Sequence, residues 1–145
     1  MTSRLDLPAH EAIASATSDL LGVRVLGVRA LTGGISNHTY FVRLAPPAEP
    51  GEVVVRLFAD RGRARTERAA LRILEDNHAP APRLLGHGCA RGGGWLVLST
   101  RVPGKPAARP DDHGWLDELA HTLATIHAVR GRGRSLTVDP GPARD

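Results

Sequence analysis

The chain has 145 residues and a formal net charge of +4, and it is long enough for one domain of ordinary size. Hydrophobic residues make up 41% and charged residues 23%, which excludes a charge-dominated disordered chain, while the 3% of aromatic residues requires an aliphatic core. The arginines are scattered along the sequence and suggest no single stripe, so the basic balance gives little support for a nucleic-acid partner.

The first predicted element is a helix. Asp6 and Pro8 are typical of a helix start, and Gly22 ends the helix after about Leu21. The residues expected on its inner face are Ile13, Leu20 and Leu21.

Two strands around a Gly-Gly turn then predict a β-hairpin. The first strand covers residues 23–31, residues 32–36 form the turn, and the second strand covers residues 39–44. Alternation divides the second strand into one face with Tyr40, Val42 and Leu44 and another with Thr39, Phe41 and Arg43. After a proline-rich loop, residues 52–59 predict a third strand, whose run of valines favours burial on both faces.

The remaining elements are a helix, two strands and a last helix. Residues 61–77 predict the helix, and residues 83–85 and 95–100 predict the strands, which flank a turn around residues 92–94. The helix has an apolar face of Ala64, Glu67, Ala70, Leu71 and Leu74, and the last helix one of Leu116, Leu119, Ala120, Leu123 and Ile126. Antiparallel strands with separate helices indicate an α+β fold rather than a doubly wound sheet.

The hairpin turn and the third strand hold the first candidates for phosphate binding. Gly33 and Gly34 allow the backbone to approach a ligand closely, and Ser36 and Asn37 add hydrogen-bonding side chains; the alternative is an ordinary hairpin turn. Arg56 interrupts an apolar strand and needs an anionic partner or ligand, unless the strand lies at a sheet edge and the guanidinium faces solvent.

Glu67 is the third candidate, because it falls on the apolar face of its helix, where a carboxylate also needs a partner. The alternative is a surface glutamate that pairs with Arg63. A glycine-rich hairpin, then a strand cation, then an inward helix carboxylate is the order found in protein-kinase-like folds. In those folds the carboxylate positions the cation that holds the nucleotide phosphates.

Several segments, together with Glu67, resemble the aminoglycoside phosphotransferase and choline kinase superfamily over about residues 20–128. They are residues 31–43, 53–57, 81–85, 95–104 and 119–127. Residues 95–104 resemble that family's interlobe hinge, with its Pro-Gly after the strand, and residues 119–127 resemble the first large helix of its second lobe. The resemblance implies a protein-kinase-like N-lobe, an antiparallel five-stranded sheet with a helix packed on it.

The resemblance also implies how the chain is divided. The nucleotide-binding N-lobe would span residues 1–101, and a hinge or linker would span residues 102–106. Residues 107–129 would form the first helix of an incomplete C-lobe. The residues themselves add that Asp111 or Asp112 can cap this helix, and that residues 130–145, which are rich in glycine, arginine and proline, form a disordered tail.

The implied cofactor is ATP, with magnesium in a complete family member. The implied nucleotide-binding residues are Gly33, Gly34, Ser36, Asn37, Arg56, Glu67, Thr100 and Val102. The glycine-rich turn would cover the phosphates, Arg56 would hold them while paired with Glu67, and main-chain groups near Thr100 and Val102 would meet the adenine. Arg56 stands where many relatives have lysine, and Thr100 where relatives often have glutamate.

The family's transfer chemistry needs a His-Gly-Asp loop, then an asparagine and a further aspartate that hold magnesium. Here His113-Gly114 is followed by Trp115 and precedes the helix that should come before the loop, so we predict no catalytic and no metal-binding residue. The expected function is therefore that of an ATP-binding portion of a phosphotransferase, inactive alone, whose complete form would phosphorylate a small-molecule hydroxyl of unknown identity.

Two other interpretations remain open, a non-catalytic interaction module and a fragment of a split or frameshifted gene. The apolar face of the last helix predicts self-association or a protein partner. Nucleic-acid binding through the arginine-rich tail ranks last, because few aromatics are available for stacking. The single cysteine, Cys89, and the lack of a signal-like or membrane-length apolar run predict a cytoplasmic protein with no membrane partner.

Overall fold

Five strands form one antiparallel sheet in a computed structural model of the chain, which describes residues 10–31, 38–104 and 114–129. In chain order the elements are α1 (His10–Leu21), β1 (Val25–Leu31), β2 (His38–Leu44), β3 (Glu52–Phe58), α2 (Arg61–Asp76), β4 (Leu84–Cys89), β5 (Trp95–Thr100) and α3 (Gly114–Ala128). The order across the sheet is β1-β2-β3-β5-β4. This architecture confirms the predicted α+β fold and places β3 at the centre of the sheet.

The main hydrophobic core lies between α1 and one face of the sheet. Alternation along the strands buries one set of side chains there: Tyr40, Val42, Leu44, Val53, Val55, Leu57, Leu96 and Leu98. The residues that α1 buries are Ile13, Ala16 and Thr17, so Leu20, which we expected on the inner face, lies exposed at its edge. Gly22, with φ +66°, ends α1 as predicted.

Within the described residues, α2 packs on the opposite face of the sheet, mainly over β3, β4 and β5. A smaller core of Phe58, Ala64, Leu71 and Val97 joins this helix to the sheet. The expectation that β3 is buried on both faces is wrong, because Arg56 is exposed and Val54 only half-buried on this side. An open sheet surface therefore remains beside α2.

The strand predicted at residues 83–85 is longer in the structure and continues through two glycines to Cys89. A Cβ atom added to Gly88 would lie 3.0 Å from a methyl carbon of Leu20, so the glycine leaves room for the end of α1. The missing side chain explains why the sequence pattern did not suggest a strand at this point.

The last helix begins at Gly114, two residues after the latest predicted start, and all of its leucines are exposed. The predicted Asp6-Pro8 helix start, the Asp111 or Asp112 cap and the tail at residues 130–145 lie outside the described residues. The division into lobe, hinge and incomplete second lobe stays a prediction.

None of the helices in the described part of the chain is both long and apolar enough to cross a membrane.

Candidate functional site

Arg56 and Glu67 meet on the face of the sheet that α2 partly covers. A terminal nitrogen of Arg56 donates a hydrogen bond to a carboxylate oxygen of Glu67, which makes an ion pair between β3 and α2. The side chains are 45% and 28% exposed, so the pair is open to solvent on one side. The other N–H groups of Arg56 have no hydrogen-bond partner among the described residues.

Neither structural alternative for these two residues holds. Arg56 does not lie in an edge strand, because β3 pairs with β2 on one side and with β5 on the other. Glu67 forms its ion pair with Arg56 and not with Arg63.

Local structure explains why Glu67 faces the sheet. Asp60 caps α2, and its side chain accepts a hydrogen bond of 2.8 Å from the Arg63 N–H, which sets the start of the helix. Glu67 then lies three residues after Ala64 and four before Leu71, both of which are buried against the sheet. The stripe that packs α2 on the sheet thus also brings the carboxylate to Arg56.

An apolar surface lies next to the ion pair. The strand register places Phe41 opposite Val54, and Val54 opposite Ser99. Val54 precedes Arg56 by two residues, so both share one face of the sheet, about 7 Å apart along the strand. We did not predict Phe41 or Val54 as site residues; the two-residue alternation back from Arg56 contained the signal for Val54, but not for Phe41 on the neighbouring strand.

The end of β5 supplies the segment predicted as the hinge. The Thr100 N–H donates to the Arg83 carbonyl at 3.0 Å, and the Arg83 N–H donates to the Thr100 hydroxyl at 2.9 Å, which ties this end of β5 to the chain before β4. Val102 is 61% exposed, and its N–H makes no hydrogen bond within the described residues. The backbone N–H of this segment is therefore open at Val102 and engaged at Thr100.

Two further cations border the apolar surface. The guanidinium carbons of Arg29 and Arg101 each lie 4.8 Å from the centroid of the Phe41 ring, within cation–π distance. Arg101 also forms an ion pair with Glu52. Among the described residues, Glu52 thus offsets the charge of Arg101, whereas no ion pair offsets that of Arg29 at the rim of this face.

The predicted glycine-rich turn, with Gly33, Gly34, Ser36 and Asn37, lies outside the described residues. The strands that flank it are described, and Thr39, near the start of β2, pairs with Arg56 of β3. The end of the hairpin that carries the turn is therefore the end beside Arg56.

Within the same described residues no group of three or more histidine, cysteine, aspartate or glutamate side chains converges to hold a metal ion. The carboxylates near Arg56 and Phe41 are each engaged with an arginine. These residues do not fit a magnesium site, and we derive no role for the metal from them.

A five-stranded antiparallel sheet whose central cation pairs with a helix carboxylate defines the N-lobe of protein-kinase-like folds. The sequence profile of the phosphotransferase enzyme family matches residues 27–144. The chain belongs to this family, as the resemblance implied.

Solved structures share the fold of the chain. It superposes on a protein assigned as a fructosamine-3-kinase from Thermobifida fusca with a TM-score of 0.57 and 22% identity, covering 79% of this chain and 38% of that one. A second protein of the same assignment, from Haemophilus somnus, gives a TM-score of 0.58 and 17% identity, covering 84% and 40%.

A spectinomycin phosphotransferase, solved in complex with ADP and spectinomycin, gives a TM-score of 0.59 and 10% identity, covering 84% of this chain and 38% of that one. At these identities the likeness shows the fold alone. The chain spans about two-fifths of the length of the structures it matches. No curated protein sequence matches the chain.

Proposed function

We propose that this chain forms the ATP-binding part of a small-molecule phosphotransferase. The observation that carries the proposal is the Arg56–Glu67 ion pair on an open sheet face. A guanidinium forms strong, directional hydrogen bonds with phosphate oxygens, and the paired carboxylate holds it in one orientation. The N–H groups of Arg56 that Glu67 does not use are the donors for the phosphates of the nucleotide.

The surface next to Arg56 suits an adenine base. Val54 is half-buried on the same face of the sheet as Arg56 and offers an apolar contact next to Phe41 of the neighbouring strand, and the open Val102 N–H can donate to a ring nitrogen. The Thr100 N–H is already engaged with Arg83, so in this proposal Thr100 contributes its carbonyl group.

The turn residues Gly33, Gly34, Ser36 and Asn37 complete the proposed site as a cover over the phosphates. Their support is the register of the hairpin, which brings the strand ends on either side of the turn to Arg56. Backbone N–H groups of such a turn would add donors to those of Arg56.

The phosphate acceptor in this proposal is a small-molecule hydroxyl. The structural neighbours are named for two different substrates, fructosamine and spectinomycin, so the shared fold does not choose between acceptors. The sequence contains no His-Gly-Asp loop, and we expect this chain alone to transfer no phosphate. A cytoplasmic location, where ATP is abundant, is part of the same proposal.

Calorimetric titration with magnesium-ATP tests the proposal. The parent chain should bind the nucleotide, and Arg56→Ala should weaken binding about 10- to 100-fold, since a hydrogen bond to a charged group contributes roughly 1.5–3 kcal/mol. Arg91→Ala is the matched control, because Arg91 is exposed in the turn between β4 and β5 and is not one of the residues of the proposed site. Equal ATP affinities for the parent and Arg56→Ala would contradict the proposal.

The exposed face of α3 supports a second role, association. Leu116, Leu119 and Leu123 are 42%, 42% and 43% exposed and lie on one side of the helix. We propose that this face binds a second copy of the chain when the isolated protein is in solution. In a complete phosphotransferase, further chain would take that place.

A further inference from the structure

A second charged surface lies on the other side of α2, away from Arg56. Four arginines of α2, at residues 61, 65, 68 and 72, follow one another at intervals of four, three and four, which places them on one stripe of the helix. The expectation that the arginines form no stripe is therefore wrong for α2. The arginines are scattered over the whole chain, and the stripe exists only at the period of this helix.

The stripe borders a cavity of about 450 Å³ between α2 and the strands β4 and β5. Its polar walls are Arg61, Arg65, Arg68 and His87, and Trp95 closes one end. The volume is in the range of small-ligand sites. The guanidinium carbon of Arg61 lies 4.9 Å from the centroid of the Trp95 ring, which holds this charge at the rim of the cavity.

No carboxylate lines this cavity, and within the described part of the chain none of its arginines forms an ion pair. Of the nearby acids, Asp60 caps the helix and Glu67 pairs with Arg56, while Glu75 lines the adjoining groove and forms no ion pair within the described residues. Positive charges spaced three and four residues apart on a helix repel one another. A bound anion would reduce this repulsion, which no described carboxylate in the cavity offsets.

His87 gives the cavity a group that responds to such an anion. A terminal nitrogen of Arg68 lies 3.0 Å from the Nε2 atom of His87. Burial, followed by the positive charges of Arg68 and Arg72, lowers the pKa of His87. The other charged group facing the imidazole region is Glu75, which lines the adjoining groove with Arg72. An anion among these arginines would offset their effect and raise the pKa of His87.

We propose that this cavity is a binding site for a small phosphorylated ligand, distinct from the nucleotide face. His87 and Arg56 lie in the same row across the sheet with Val97 between them, two strand spacings or roughly 10 Å apart. Glu67 and Arg68 are adjacent in α2 but point to opposite sides of the helix, since Glu67 contacts Arg56 and Arg68 contacts His87. The two sites therefore flank α2 and share no phosphate-contacting arginine.

Inorganic pyrophosphate is the probe for this site, and the imidazole resonances of His87 report its binding in an NMR titration. Pyrophosphate should shift these resonances to saturation and raise the pKa of His87, both in the parent and in Arg56→Ala, which removes the nucleotide cation. Arg65→Ala should weaken the pyrophosphate affinity about tenfold, the effect of one charged contact. Arg65 makes no hydrogen bond to His87, so this change removes cavity charge without altering the reporter directly.

The control is Arg91→Ala, which should leave the pyrophosphate affinity at the parent value. Arg65→Gln is a second variant, with a polar side chain at this exposed position, and it should weaken the pyrophosphate affinity to the same extent.

Titration of Arg56→Ala with ADP distinguishes the source of the phosphate group. If ADP binds more tightly than pyrophosphate, the ligand of the site is a nucleotide. If ADP binds more weakly, the ligand is another phosphorylated molecule. The proposal is overturned if pyrophosphate does not move the His87 resonances, or if both Arg65 variants bind it as the parent does.

Discussion

At the scale of single residues, the ion pair of Arg56 and Glu67 has different expected effects on binding and on stability. Its side chains are 45% and 28% exposed, so solvent screens the attraction and the pair contributes only about 0–1 kcal/mol to folding. Its larger effect is on the orientation of the guanidinium. If the proposed function holds, the pair matters more for ligand binding than for the stability of the sheet.

Glu67→Gln should therefore separate these effects. We expect a several-fold loss of ATP affinity by calorimetry, because the guanidinium is no longer held, and a change of less than about 1 kcal/mol in the free energy of unfolding by urea. Glu75→Gln, on an exposed position of the same helix, is the control. Unchanged ATP affinity, or a loss of several kcal/mol in stability, would contradict this account of the pair.

The surroundings of His87 lead to a prediction about how the stability of the fold depends on pH. Burial and the charges of Arg68 and Arg72 lower its pKa from the ordinary value of 6.5, so the folded chain disfavours the protonated imidazole. The neutral imidazole of His87 therefore contributes to the free energy of unfolding above pH 6.5, and this contribution is lost as the pH falls through the lowered pKa. NMR titration should give a pKa for His87 below that of a denatured chain, and Arg72→Ala should raise it. A pKa equal to the denatured value would contradict this assignment.

At the scale of elements, alternation was the most informative sequence signal. Tyr40, Val42 and Leu44 of β2 are buried as predicted, and the helical spacing of Ala64 and Leu71 identified the inner stripe of α2. The same helical spacing predicted that Glu67 faces the sheet. The period-two pattern of β2 and the period-3.6 pattern of α2 succeed because each of these two elements has one face that packs in a core.

The failures have a physical cause as well. The strand β4 contains Gly86 and Gly88, which have no side chain to alternate, and only the contact with α1 explains them. The apolar surface of Phe41 and Val54 beside Arg56 depends on which strands are neighbours, and sequence spacing does not contain the register of β2 with β3. The cavity beside Arg65 requires the position of β4 relative to α2, which sequence spacing does not contain.

The close packing of Gly94, in the turn between β4 and β5, leads to a prediction about stability. Its φ is +92°, and an added Cβ would lie 2.7 Å from a methyl carbon of the buried Leu57. Gly94→Ala should lower the free energy of unfolding by about 2–4 kcal/mol, from backbone strain together with the clash. Gly93→Ala is the matched variant, because its φ of +107° is equally unfavourable but nothing lies within 4 Å.

Gly93→Ala should cost only the backbone part, about 1 kcal/mol or slightly more. Urea unfolding of both variants measures the difference. Equal losses of stability would contradict the close approach of Gly94 to Leu57.

At the scale of the whole molecule, the chain joins a well-packed sheet lobe to a helix with an uncovered apolar face. The described residues of α3 include no buried side chain, in contrast to α1 and α2. An apolar helix face in water favours association. Light scattering after size exclusion should therefore show that the isolated chain self-associates as its concentration rises.

Leu119→Glu combined with Leu123→Glu should give a monomer, because both charges would enter the associating face. ATP affinity should stay at the parent value, since α3 is not part of the nucleotide face. Leu26→Glu, an equally exposed leucine in β1, is the control and should leave the association unchanged. A parent chain that remains monomeric at every concentration would contradict the role of α3.

The central claim is that a nucleotide binds the open sheet face beside Arg56, and chemical-shift mapping with magnesium-ATP tests it most directly. We expect the largest changes at the side-chain Nε–H of Arg56 and at the backbone amides of Phe41, Val54 and Val102, which surround the proposed base and phosphates. Absent changes, or changes confined to Arg65 and His87 on the other side of α2, would contradict the claim.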